Sequence, residues 1–345
     1  MSRVIDNPDQ FTVIGENIHA TRVVKRGGVR GHVFEDGREA VKYKLDGERH
    51  FVHVPEHFTK TQPYEQGSLK HFQIAMWMGA NGDDDQAAAG KAYITYEVNR
   101  QIKAGSHYLD LNVDESSYRL PEQKATIEWL VKFVESVSSI PLSIDSSNPE
   151  IIEVGLSAYE GKNGRPMLNS IALERPEAID LALKHDARAV VMASNEVGMP
   201  DGADERVQNV GRIVEMALTK GMAKEDLFVD PLIFPIAVDS NYGNHVFDAM
   251  KAIRAEFGDE IHIAGGMSNV SFGIPKRRLI NDVFLYLAIQ AGADAGIVDP
   301  MTTSAERSLN IDLEAGPVKL AMDLLTGNDD FAMNYITAFR AGELD

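Results

Sequence analysis

The feature that most constrains the fold is an alternation of short apolar runs with amphipathic segments, which continues from about residue 107. Short β-branched runs predict strands, and apolar residues three and four positions apart predict helices. The predicted strands are 12–17, 106–114, 141–145, 166–172, 187–194, 226–234, 261–269 and 293–300. The predicted helices are about 84–103, 121–137, 148–159, 175–185, 204–221, 244–258, 277–292 and 305–324.

This order predicts eight strands, each followed by a helix. Strand-helix alternation indicates a parallel sheet, and eight repeats favour a closed (β/α)8 TIM barrel. An open, doubly wound sheet is the alternative, but no glycine-rich phosphate loop follows any predicted strand. The length of 345 residues suits one large barrel with an insertion, so we predict a single domain over 1–345.

The stretch at about 21–83 breaks the alternation and predicts an insertion after the first strand. Within 30–54, short β-like runs flank Asp36-Gly37 and Asp46-Gly47. Asp-Gly favours type I′ hairpin turns, because both central residues of such a turn need a positive φ. We therefore predict a three-stranded β-meander at the rim of the barrel. It either stabilises the rim or a subunit contact, or it shields the substrate and forms part of a docking surface.

Composition excludes several classes of function. The net charge of −18 would repel a phosphate backbone, so nucleic acid is not an expected partner. With no cysteine, the chain has no disulfide, thiolate metal site or cysteine nucleophile. No apolar run is long enough for a membrane span, and no signal-peptide pattern is seen at the start. We expect a cytoplasmic protein that does not bind membranes.

Polar side chains recur where the predicted strands end, which is where barrels of this kind hold their chemistry. Asp, Asn and Ser also cap helices, and that is the alternative for any one of them. As a set they are rich in carboxylates and amides and poor in cations, which suits a flat heterocycle with amine and amide edges, such as a pterin, better than a sugar phosphate. They are Glu16, Asn17, Asp110, Asn112, Asp114, Asp145, Asn169, Ser194, Asn195, Asp230, Ser268, Asn269 and Asp299.

Several motifs resemble the pterin-binding barrels of methyltetrahydrofolate:corrinoid methyltransferases, including the folate domain of cobalamin-dependent methionine synthase. They are VIGENIH (13–19), LDLNVD (109–114), LSIDSSN (142–148), MLNS (167–170), LFVDPLIFP (227–235), GGMSNVSFG (265–273) and the segment 277–300. The resemblance implies that Asp145, Asn169 and Asp230 hold the pterin ring, that Asp110 and Asn112 shape its floor, and that Asn269 reaches N5. It also places Glu16 and Asn195 among the pterin contacts.

The resemblance implies transfer of a methyl group between N5 of tetrahydrofolate and the cobalt of a corrinoid, in a direction that the sequence leaves open. Asn269 and Asp145 are the expected catalytic residues: Asn269 as a hydrogen-bond donor to N5, with the proton coming from water or Asp145. The chain has no D-x-H-x-x-G corrinoid-ligand loop, so a separate protein is expected to carry the cobalamin. We also expect a homodimer and no metal held by the chain itself.

Three other functions remain as alternatives. Dihydropteroate synthase would share the pterin carboxylates, but its first loop and an Arg-x-His after its last strand are not found here. A non-catalytic folate-binding protein would have no need for a group at N5. A metal hydrolase is suggested by His53-Val-Pro-Glu-His57, but that spacing works only on a helix, and Pro55 argues against one.

Overall fold

The structure is a computed structural model that describes residues 4–344. Its strands are β1 (Thr12–His19), β2 (Val23–Lys25), β3 (Gly31–Val33), β4 (Glu39–Leu45), β5 (Glu48–His53), β6 (Ser68–Lys70), β7 (Tyr108–Asn112), β8 (Leu142–Asp145), β9 (Met167–Ile171), β10 (Arg188–Met192), β11 (Leu227–Asp230), β12 (His262–Ile263) and β13 (Ala295–Val298).

The helices are α1 (Gln62–Glu65), α2 (His71–Asn81), α3 (Asp84–Lys103), α4 (Leu120–Val137), α5 (Pro149–Ala158), α6 (Ala178–Lys184), α7 (Ala203–Lys220), α8 (Tyr242–Phe257), α9 (Arg277–Ala291), α10 (Ala305–Leu309), α11 (Gly316–Leu325) and α12 (Met333–Ala341). Short 3-10 helices cover Pro8–Gln10, Glu56–Lys60, Lys224–Asp226, Met267–Ser271 and Asp330–Ala332.

Eight parallel strands form one sheet in the order β12-β11-β10-β9-β8-β7-β1-β13. The two ends of this order are joined: the N–H of Ile297 donates to the carbonyl of Gly265 at 2.9 Å, and that of Asp294 donates to Ile263 at 3.2 Å. Helices separate the strands along the chain. The fold is therefore the predicted (β/α)8 barrel, and β7 and β9 are buried along their whole length, as expected for strands covered on both faces.

The described residues group into two compact units. The N-terminal unit is Glu16–Pro166, and the C-terminal unit is Met167 onward together with the segment up to Gly15. The N-terminal unit contains the insertion, β7, β8 and the helices up to α5, and the C-terminal unit contains β9–β13 and the later helices. The single-domain boundary predicted from the sequence stays a prediction.

The insertion forms the predicted three-stranded antiparallel meander, in the order β3-β4-β5. Asp46 and Gly47 both have a positive φ (51° and 87°), as a type I′ turn requires. At the other Asp-Gly pair only Gly37 has a positive φ, of 84°, so the type I′ turn predicted there is wrong. The longer loop is closed instead by the N–H of Phe34, which donates to the carbonyl of Arg38 at 2.8 Å.

Three predicted elements in the C-terminal unit are wrong in extent. The predicted strand 226–234 covers only Leu227–Asp230, and Leu232 beyond it has a φ of +65°. The predicted strand 261–269 is only two residues long, because Gly265 has a φ of +136° that ends the extended backbone, and a 3-10 helix follows at Met267–Ser271. The predicted helix 305–324 is two helices, α10 and α11. Pro317 explains the break, because proline is tolerated in the first turn of a helix and disrupts an interior turn.

Two further expectations can be compared with the structure. His53 ends strand β5, so the H-x-x-E-H spacing does not lie on a helix. Among residues 4–344, no helix is both long enough and apolar enough to cross a bilayer.

Candidate functional site

In the N-terminal unit the strand-end side chains gather around Asp110, which has no exposed surface. The Nε2 atom of His19, at the end of β1, lies 2.8 Å from Asp110 Oδ2. A buried carboxylate needs hydrogen-bond donors, and His19 supplies one. The backbone N–H of Ala20 donates to the carbonyl of Asn112 at 2.9 Å, which holds the end of β1 beside the end of β7.

Asp145, the last residue of β8, joins the same cluster. Its Oδ2 atom accepts a hydrogen bond from Asn112 Nδ2 at 2.8 Å and lies 4.0 Å from His19 Nε2. The register pairs Asn112 with Asp145 directly, so the sheet itself brings these two side chains together. Three residues predicted from the sequence, Asp110, Asn112 and Asp145, therefore lie in one cluster.

The contacts within the cluster change the pKa of Asp145 and that of His19. Burial raises the pKa of Asp145 to about 7, the negative charge of Asp110 adds to this increase, and His19 and the Asn112 amide oppose it. Burial alone would lower the pKa of His19, but the hydrogen bond to Asp110 and the charges of Asp110, Asp145 and Glu16 raise it above its ordinary value. Near neutral pH, Asp145 can therefore give up or accept a proton.

His19, Asp110 and Asp145 are also of the types that bind metal ions. Among the described residues they offer one ligand atom each, all within 4.8 Å of one another. Asp110 Oδ2 already contacts His19, and Asp145 Oδ2 already accepts the Asn112 amide. These hydrogen bonds account for the arrangement without a cation, and the absence of a metal stays a prediction.

Other strand-end residues of this unit have different partners. Asn17 donates to Glu97 Oε1 at 3.1 Å, and its N–H donates to Gln101 Oε1 at 3.2 Å, so it anchors β1 to α3. Asp114 accepts hydrogen bonds from the N–H and hydroxyl of Ser147, both at 2.9 Å, and holds the loop before α5. Glu16 forms an ion pair with Arg22 at 2.9 Å, so its predicted pterin contact stays a prediction.

In the C-terminal unit, Asp230 ends β11 and is buried. Its Oδ1 atom accepts the N–H of Leu232 at 2.7 Å. Burial raises the pKa of Asp230 to about 6, although hydrogen bonds from the backbone of Leu232 and Gly266 and the charge of Arg206 act against this increase. A Cβ atom on Gly265 would come within 2.8 Å of Asp230 Oδ1, so glycine at this position makes room for the carboxylate.

Asn269 lies on the 3-10 helix that follows the Gly265-Gly266 turn. Its N–H donates to the carbonyl of Gly266 at 3.1 Å, and a Cβ atom on Gly266 would lie 2.8 Å from Asn269 Nδ2. Within the described chain the half-buried side-chain amide of Asn269 makes no hydrogen bond. An unpaired amide that packs against the glycine turn is available to a ligand.

Asn169 and Asn195 also lie in the C-terminal unit. Asn169 is buried within β9, where it pairs with Val190 of β10. Asn195 is occupied by its own loop and by the first turn of α7: its Oδ1 accepts the N–H of Val197 at 2.8 Å, and its Nδ2 donates to Glu205 at 3.1 Å. The Asn195 side chain therefore shapes the loop before α7, and its contact with a pterin stays a prediction.

Two features of the site were missed from the sequence. His19 stood in the motif VIGENIH, and a buried aspartate on the adjacent strand was the signal that a donor was needed. The glycine pair at 265–266 also stood in a quoted motif, but its role depends on the Asp230 and Asn269 side chains that pack on it.

Comparisons with known proteins bear on the family and the fold of the chain. A family described as pterin binding enzyme matches residues 85–299. The methylcorrinoid:tetrahydrofolate methyltransferase of Eubacterium limosum is 29% identical over 264 residues, which cover 74% of this chain and 89% of that protein. It is a methyltransferase of the kind that the motifs resemble, which confirms the recognition made from the sequence.

Solved structures of dihydropteroate synthases have the same fold. The enzyme from Xanthomonas albilineans with 4-aminobenzoic acid has a TM-score of 0.50 at 20% identity, covering 66% of this chain and 86% of that one. The enzyme from Vibrio fischeri ES114 has a TM-score of 0.51 at 14% identity, covering 64% and 86%. At these identities the likeness concerns the fold alone. The family match spans most of the predicted site residues, from Asp110 to Asn269, and the chain belongs to the pterin-binding enzymes.

Proposed function

We propose that this protein is an enzyme that transfers a methyl group between N5 of tetrahydrofolate and the cobalt of a corrinoid held by a separate protein. The observation that carries the proposal is the unpaired amide of Asn269, held on the same glycine turn as the buried carboxylate of Asp230. A pterin-binding protein that did no chemistry at N5 would have no need for such a donor. The named relative supports the same chemistry.

We propose that Asp230 binds the aminopyrimidinone edge of the pterin. A carboxylate can accept two N–H bonds from such an edge, and burial strengthens those bonds. Asn169 and Asp145 are proposed to bind the same ring, with Asp110 and Asn112 fixing the position of Asp145. The hydrogen bonds of Asp145 to Asn112 and of His19 to Asp110 support the second part of this proposal.

In this reaction the largest change of charge on the folate occurs at N5. When the C–N bond of methyltetrahydrofolate breaks, its electron pair stays on N5 and the methyl group passes to cobalt. A donor aimed at N5 stabilises the charge that changes there, and Asn269 is the proposed donor. An amide does not titrate, so the proton comes from water or from Asp145, whose pKa of about 7 allows it to exchange a proton at neutral pH. In the reverse direction the same groups accept that proton.

The corrinoid supplies the metal-centred nucleophile or methyl donor, and we propose that the partner protein brings it. In this account the present chain provides orientation, hydrogen bonds and a proton site, and no metal of its own.

The test is a comparison of two reactions with the purified chain. We expect methyl transfer between methylcobalamin and tetrahydrofolate, followed by the change in the corrinoid spectrum. We expect no condensation of a hydroxymethylpterin pyrophosphate with 4-aminobenzoate. Condensation without methyl transfer would replace the proposal with the dihydropteroate synthase alternative, and folate binding with neither reaction would leave a folate-binding protein.

A further inference from the structure

A cationic groove lies on the N-terminal unit, and none of the residues of the strand-end cluster around Asp110 lines it. The hairpin of β4 and β5 forms one side, and α3 forms the other. The cavity has a volume of about 500 Å³, and its lining includes five cationic side chains and no acidic one. The five are Arg30, Lys42, Lys44, Arg49 and Arg100. This accumulation runs against the net charge of −18, so it is a local feature of the surface.

Most of these cations have no carboxylate to balance them. Arg100 forms an ion pair with Glu97 at 2.8 Å. Over residues 4–344, Lys42, Lys44 and Arg49 have no Asp or Glu oxygen within 4.0 Å. Most other cations of this unit, such as Arg26 and Lys70, do form ion pairs. The groove therefore keeps its charges available to a ligand.

The strand register places two like charges of the groove opposite each other. Lys44 and Arg49 are direct partners across β4 and β5. Like charges on directly opposed residues destabilise an antiparallel pair, and the Asp46-Gly47 turn keeps these two side chains together. A bound anion would remove this repulsion.

The groove also has fixed walls. The ring of Tyr43 packs on that of Tyr96 with centroids 4.8 Å apart, and the guanidinium of Arg100 lies 5.1 Å from the Tyr96 ring. Arg30 donates a hydrogen bond to the buried hydroxyl of Tyr93. The N–H of Lys42 donates to the carbonyl of Arg30 at 2.8 Å, which fixes the backbone of Arg30 against β4. Arg30 and Arg100 are thus held in position, whereas Lys42, Lys44 and Arg49 can adjust to what binds.

We propose that this groove binds a small polyanion that carries several phosphate or carboxylate groups. Two sources have this chemistry: a phosphate compound, and a chain of γ-linked glutamates such as the tail that folates can carry. The first source is independent of the proposed function. The second rests on it, because the tail would belong to the enzyme's own substrate.

The test is isothermal calorimetry on the full chain, with tripolyphosphate and tri-γ-glutamate as separate probes and without folate or corrinoid. At least one probe should bind at about 0.05 M salt and bind much more weakly at about 0.5 M salt, because salt screens exposed charges. Lys44→Gln with Arg49→Gln should weaken that binding roughly tenfold or more. The matched control is Lys25→Gln with Lys91→Gln, which removes two exposed lysines outside the groove and should leave binding unchanged.

The result also distinguishes the sources. Binding of tripolyphosphate alone indicates a phosphate ligand, and binding of tri-γ-glutamate indicates the glutamyl chain. The groove variant should melt no lower than the wild type, since it loses a repulsive pair, so weaker binding would not reflect unfolding. If neither probe binds, or if both double variants lose binding equally, the proposal is overturned. Because no methyl transfer is measured, its failure is separate from a failure of the proposed function.

Discussion

Asp230 is the residue whose loss should affect folate most directly. Asp230→Ala removes the carboxylate that we propose binds the pterin edge, and it leaves ligand N–H groups without an acceptor. We expect binding of tetrahydrofolate to weaken by about 1–3 kcal/mol in calorimetry. Asp248→Ala, which removes an exposed carboxylate from α8, is the control and should bind as the wild type does. Equal affinity of Asp230→Ala and the wild type would remove Asp230 from the site.

Asp145 gives a prediction about pH. Its folded pKa of about 7 lies above the ordinary value of 3.8, so the folded state binds more protons between these values. The contribution of this group to the free energy of unfolding therefore falls as pH rises from about 4 to about 7. Asp145→Asn cannot ionise and avoids this loss. The free energy of unfolding of the variant, measured relative to that of the wild type, should therefore increase by on the order of 1–3 kcal/mol between about pH 5 and about pH 8.

Urea unfolding at the two pH values measures the difference. Asp46→Asn is the control, because it makes the same substitution at an exposed turn residue outside the cluster, with a φ of 51° that asparagine tolerates. Asp145→Asn should show the larger change between the two pH values. A change in stability for Asp145→Asn that is the same at both pH values would contradict the raised pKa.

At the scale of elements, the Gly265-Gly266 turn connects the end of β12 to the helix that holds Asn269. Gly265→Ala would place a Cβ atom 2.8 Å from Asp230 Oδ1 and would strain a backbone with a φ of +136°. We expect a loss of stability of about 1–3 kcal/mol and a loss of folate affinity, because the Asp230 side chain must move.

Gly258→Ala is the control that separates backbone strain from displacement of the Asp230 side chain. Gly258 also has a positive φ, of 79°, but a Cβ atom there would contact nothing within 4 Å. This variant should lose stability through backbone strain and keep its affinity for folate. If Gly265→Ala and Gly258→Ala reduced folate affinity alike, the turn would have no specific role at the site.

These elements also show what the sequence could predict. The alternation of strands and helices and the type I′ turn at Asp46-Gly47 depend on local spacing, and they are confirmed. The first residues of the 3-10 helix at 267–271 were predicted as strand. The positive φ of Gly265 ends the strand before them, and this glycine makes room for the carboxylate of Asp230, 35 residues earlier in the chain. Local spacing does not show such a distant contact.

The part played by His19 depends on a contact that is distant in the sequence. His19 and Asp110 lie 91 positions apart, on β1 and β7, with the whole insertion between them. Strand-end position was enough to select Asp110, Asn112 and Asp145, which lie in one cluster. Pairing His19 with Asp110 requires the knowledge that β1 and β7 are neighbours, which the strand order provides.

At the scale of the whole molecule, we propose that a barrel of the pterin-binding enzymes carries out methyl transfer at N5. The fold alone does not select this reaction, because dihydropteroate synthases have the same fold. The choice between methyl transfer and the dihydropteroate synthase reaction depends on a hydrogen-bond donor at N5. Such a donor contributes little to folate binding, but it stabilises the breaking or forming of the bond between N5 and the methyl group. Asn269 therefore carries the central claim.

The most direct test is a single-turnover measurement of methyl transfer between methyltetrahydrofolate and cob(I)alamin, made with the wild type and with Asn269→Ala. The account predicts that the rate falls by roughly 100-fold or more while the dissociation constant of the folate changes by less than about tenfold, because the hydrogen bond strengthens as N5 gains charge. An intact rate with weakened binding, or no methyl transfer in the wild type, would contradict it.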